Sequence, residues 1–109
     1  MYLKVTAEGA LKRDLQRGVA AAKAVFAKAG IEPIDGAKGW AALEWWDINS
    51  FAPECEPPED VGRCGDIWLD AQTAAINAAL GKLPDGQRRG YLELILSKEE
   101  QKRYFPIPD

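Results

Sequence analysis

The chain contains no histidine. That absence closes the Ser-His-Asp and Cys-His nucleophile arrangements and every metal site that relies on imidazole. No stretch matches GxGxxG or GxxxxGK[ST], so neither phosphate-cradling loop is present. No run reaches the roughly 18 consecutive apolar residues a spanning helix needs, and the opening MYLKVTAEGALKRD lacks the apolar stretch of a secretory signal. The expectation is a soluble, cytoplasmic protein with no membrane partner. Cysteine is scarce: Cys55 and Cys64 cannot complete a four-ligand zinc site from one chain. A disulfide between them would close a short loop, but cytoplasmic thiols stay reduced, so both are expected free.

What is present suits an ordinary globular protein. A length of 109 residues, 47% of them hydrophobic and 28% charged, predicts one domain over residues 1–109, large enough to bury roughly two thirds of its unfolded surface. The net charge of -3 hides an uneven distribution. Residues 1–30 hold six bases and two acids, a net +4; residues 31–70 hold two bases and ten acids, a net -8; the remainder is close to neutral. All four tryptophans, Trp40, Trp45, Trp46 and Trp68, lie in that acidic middle.

Periodicity gives the elements. Leu11, Leu15, Val19, Ala22, Val25, Phe26 and Ala29 recur at three- and four-residue steps and predict a helix over residues 7–29, with Thr6 as N-cap and Gly30 just past its end. Gly18 in its middle reads as a tolerated weak spot, or else as a place where another backbone approaches. A second helix is expected over residues 66–80, with Asp66 as N-cap, Leu69, Ile76 and Leu80 on one stripe, and Ala71, Ala74, Ala75 and Ala78 on a small-residue face. Residues 39–48 fit helix slightly better than strand. Ser97 and Glu100 have capping-box spacing, so SKEEQKRY opens a short helix carrying a Glu99–Arg103 ion pair. The fold class expected is mainly α, a compact bundle of three to four helices with a Pro-rich acidic loop. The alternative is α+β, with a small sheet from residues 1–6 and 91–96.

The loop, FAPECEPPEDVGRC over residues 51–64, packs four carboxylates and three prolines into fourteen positions. Glu54, Glu56, Glu59 and Asp60 could bind a hard cation, but their spacing is not that of an EF-hand and the prolines oppose tight wrapping, so no metal is assigned. No cofactor and no catalytic residue is assigned either, since any two of seventeen acids could be paired on paper. Four tryptophans within such an acidic stretch exceed what a small core readily absorbs, and interfaces favour Trp anchors ringed by polar groups. The reading is a non-enzymatic protein-binding module. Trp45 and Trp46 would anchor, and Glu54, Glu56, Glu59 and Asp60 would steer, a basic protein surface; phosphates would be repelled, so no nucleic acid is bound directly. An inhibitor that covers the basic surface of nucleic-acid-handling machinery, of the phage or mobile-element type, is one concrete form. The alternative is a small-ligand-binding or small enzymatic domain with a Trp-lined pocket containing Asp47, Asp66 or Asp70. A third option is a homo-oligomer assembled through the alanine face of residues 66–80.

Overall fold

A computed structural model describes residues 1–49 and 59–106, with the backbone alone for residues 45–49 and 59–61. Within that range the protein is mainly α with a small sheet. Strand β1 (Tyr2–Ala7) leads into helices α1 (Lys12–Ala29), α2 (Pro33–Asn49) and α3 (Glu59–Leu80). A 3-10 turn at Asp85–Gln87, strand β2 (Gly90–Ile95) and helix α4 (Lys98–Tyr104) follow. The strands pair antiparallel, with Leu3 opposite Leu94, Val5 opposite Leu92 and Lys4 opposite Glu93. The helical bundle and the sheet are therefore both present, and the sheet joins the two segments in which alternation is strongest.

Alternation also explains the first boundary that differs from expectation. Thr6 does not cap a helix: it lies in β1, the chain turns at Gly9 with φ +85°, and α1 begins at Lys12 behind Leu11, whose side chain makes no capping bond. The N-terminal segment gains more by burying Leu3 and Val5 against the helices than by extending α1. Gly30 ends α1 in the left-handed region, as expected, and Pro33 opens α2, where its missing N–H is no loss. Residues 39–48 are helical within α2.

Helix α3 starts earlier than the sequence suggests, so Asp66 is two turns inside it and exposed rather than an N-cap. Gly65, within the added turns, is needed there: a side chain would meet Leu43 and come within 3.2 Å of the Gly39 backbone. Helix α3 lies between α1 and α2, touching both, while α1 and α2 barely touch each other. The antiparallel run of α2 beside α3 follows from the same contacts, since Gly36 faces Trp68 and Gly39 faces Gly65.

Small residues set the approach on the other side as well. A Cβ at Gly18 would sit 2.8 Å from the carbonyl oxygen of Ala75, so another backbone does pack closely at Gly18. Ala71 and Ala75 are fully buried in the core formed by Leu3, Val5, Ala22, Phe26, Trp68 and Leu92. The alanine face of α3 is therefore used inside the molecule, and what it offers another copy is reduced to half-buried Ala74 and exposed Ala78. Helix α4 carries the expected capping box, the Glu100 N–H donating to Ser97 Oγ at 3.2 Å and the Ser97 N–H to Glu100 Oε1 at 3.0 Å. The Glu99–Arg103 pair is not among the ion pairs of the described residues; Arg103 lies over the Tyr104 ring instead, 5.5 Å from its centroid.

Candidate partner-binding surface

The antiparallel packing of α2 on α3 decides which of the proposed contact residues share a location. Trp45 and Trp46 belong to the last turns of α2, and Glu59 and Asp60 open α3, so the backbone carries all four to the same end of the helix pair. Their side chains are outside the description, and Glu54 and Glu56 lie outside the described residues altogether, as does Cys55. Cys64 is a half-buried free thiol on α3.

The other two tryptophans are core residues. Trp68 is buried against Phe26, ring centroids 5.9 Å apart, and Trp40 packs against the same cluster from α2. That placement separates Trp68 from the acids assigned with it to a ligand pocket. Asp66 and Asp70 are exposed on the opposite side of α3, because a helix turns about 100° per residue and Trp68, Ala71 and Ala75 take the inward stripe. Asp47 has no described side chain.

The outward stripe of α3 was missed by periodicity. Leu69, expected on the apolar stripe, is 42% exposed; Asp66 lies one turn before it, and Asp70 follows Asp66 at the next four-residue step. Glu44 on α2 is exposed as well. The neighbouring cation does not neutralise this stripe through an ion pair: the Arg63 guanidinium donates to the carbonyl oxygen of Ala29 at 3.1 Å and so closes the end of α1. Placing the start of α3 at Glu59 would have exposed the pattern, since Asp66, Leu69, Asp70 and Thr73 then fall opposite Trp68, Ala71 and Ala75.

Elsewhere, a cleft of about 340 Å³ lies between the start of α1 and the end of α3, where Asp14 and Arg17 approach to 3.7 Å. Neither tryptophan with a described side chain lines it. Among the described residues no three cysteine or carboxylate side chains cluster as metal ligands, and no helix is long and apolar enough to cross a membrane. Comparison with known proteins returned no family, no characterised protein and no solved structure that matches this chain.

Proposed function

We propose that the protein is a non-enzymatic binding module whose acidic end covers a basic surface of a protein partner, as an inhibitor of nucleic-acid-handling machinery would. The observation that carries this reading is the exposed Leu69 beside Asp66 and Asp70, on the helix that Glu59 and Asp60 open. An exposed apolar contact beside two like charges suits a partner of opposite charge: the apolar group supplies desolvation, and the charges steer the encounter. Glu54 and Glu56 extend the same charge into the Pro-rich segment, and its three prolines lower the entropy lost on binding. Trp45 and Trp46, at the same end of α2, are the proposed anchors.

The test uses the partner recovered by pull-down from the source cell, with association and dissociation rates measured separately. Neutralising Glu54, Glu56, Glu59 and Asp60 to Gln or Asn is expected to slow association about tenfold at low salt and to leave dissociation nearly unchanged. Trp45→Ala or Trp46→Ala is expected to speed dissociation, by about 2 kcal/mol for a true anchor. Wild-type association by the neutralised protein, with both tryptophans protected from a soluble quencher in the free protein, would overturn the reading. A thermal shift with a small ligand in place of any protein partner would favour the pocket alternative.

A further inference from the structure

Two hydrogen bonds fix which way the backbone of each strand points. The Glu8 N–H donates to the carbonyl oxygen of Arg89 at 3.0 Å, which continues the ladder one step past the Ala7–Gly90 pair. In an antiparallel ladder, residues alternate between bonding across and pointing away. Tyr2, Lys4 and Thr6 therefore bond to β2, and the N–H and C=O groups of Leu3 and Val5 face the opposite edge. The same alternation turns Leu92 away from β1, and its N–H is taken by Gln72 Oε1 of α3 at 3.1 Å. At that edge one backbone donor, the Leu92 N–H, is thus taken by a helix side chain. At the β1 edge, no group among the described residues bonds to the backbone of Leu3 or Val5.

The floor beside that edge is already built. Val5 sits above Gly18 of α1, so the helix reaches out past the strand, and its Leu15 and Val19 join Leu3 and Val5 in lining an apolar groove of about 380 Å³. A strand added about 4.8 Å from β1 would lie over Leu15 and Val19, with every second side chain pointing into the groove. The charged residues that line it are Lys4 and Lys12, and no carboxylate does. A second copy of β1 is a poor occupant, because pairing about Lys4 sets like charges opposite one another, and any close pairing doubles the positive charge at the rim.

We propose that β1 is a docking edge for an extended acidic segment of a partner protein, which joins the sheet as a third strand with apolar residues in the groove and Asp or Glu between them. This mode takes affinity from main-chain hydrogen bonds and specificity from the alternate side chains. It is independent of the acidic end of α2 and α3 and uses charge of the opposite sign.

The probe is a labelled, acetylated octapeptide that alternates Glu and Val, titrated into the full chain. Saturating peptide is expected to slow amide hydrogen exchange at Leu3 and Val5 about tenfold or more, while Lys4 and Thr6, already bonded to β2, change little. The double variant Lys4→Glu with Lys12→Glu, both positions exposed, is expected to keep the wild-type circular dichroism and bind about tenfold more weakly. An octapeptide alternating Lys and Val, and a Glu-Val peptide methylated at every second backbone nitrogen, are each expected to lose most of the affinity. Unchanged exchange at Leu3 and Val5 at millimolar peptide would overturn the proposal, as would equal binding of the methylated peptide. Protection of the same two amides by protein concentration alone would overturn it in favour of a second copy.

Discussion

The guanidinium of Arg88 gathers the connection from α3 to β2. It donates to the Leu83 carbonyl at 2.7 Å, to Asn77 Oδ1 at 2.9 Å and, at 3.4 Å, to the Gly81 carbonyl, and it pairs with Asp85 at 2.8 Å. Asp85 is 92% exposed, so that ion pair adds little. The carbonyl bonds matter more, because they hold a cation at Gly81 and Leu83, just past the C-terminal end of α3, where the helix dipole favours positive charge. Arg88→Ala is expected to destabilise the protein by about 1–2 kcal/mol in urea unfolding, and Arg88→Lys to recover only part, since an ammonium cannot span three acceptors in one plane. Gly18 acts through space rather than through a bond. In an isolated helix Gly18→Ala would gain about 1 kcal/mol. Here the new methyl meets the Ala75 carbonyl and must push α1 from α3, so the same substitution is expected to lower stability by about 1–3 kcal/mol. A rise in the urea midpoint would show that the two helices can separate without loss.

Among the elements, α4 depends most on a local signal. Its capping box was legible from Ser97 and Glu100 alone, because both bonds are made within four residues. Ser97→Ala is expected to cost about 1 kcal/mol. The Glu100 carboxyl is held below its ordinary value of 4.5, first by the Ser97 N–H and then by the amino group of Met1. A carboxylate with a lowered folded-state pKa adds stability above the unfolded value and loses it as pH falls through the folded one. Wild type and Glu100→Gln should therefore differ in urea midpoint above about pH 4.5 and converge under more acid conditions. A constant difference across that range would rule out this linkage. The long helices were legible in type and less so in extent. Periodicity identified α1 and α3, but Thr6 was claimed by a strand whose partner lies at the far end of the chain, and Gly65 was claimed by the close approach of α2. The alanine stripe of α3 carried no mark of whether it packs inside the molecule or between copies, since close approach asks for the same residues in both cases. At the candidate surface, Trp45, Trp46, Glu59 and Asp60 were grouped by nearness in sequence. The face formed by Asp66, Leu69 and Asp70 could be seen only once the start of α3 was known.

At the scale of the whole molecule, charge and topology run in opposite senses. The basic first thirty residues form β1 and α1, and the acidic middle forms α2 and the first half of α3, so the molecule presents both signs to a partner. Binding through the acidic end should weaken as salt rises from about 0.01 to 0.15 M, where the screening length shortens from about 30 to 8 Å. Affinity that is flat over this range would leave the charge of residues 31–70 without a role in recognition. The sheet adds a feature of timing. Strand β1 leaves the ribosome well before β2, and Ala7 has to wait for Gly90 before the ladder can begin. At roughly 5–20 residues per second, translation of the intervening segment takes about 4–16 s. Through that interval a nascent strand carries Leu3 and Val5 with both of its edges open, the state most exposed to pairing with another chain. Lys4 between them carries a charge that opposes pairing with a second copy of the same strand, on the ribosome as in the finished sheet.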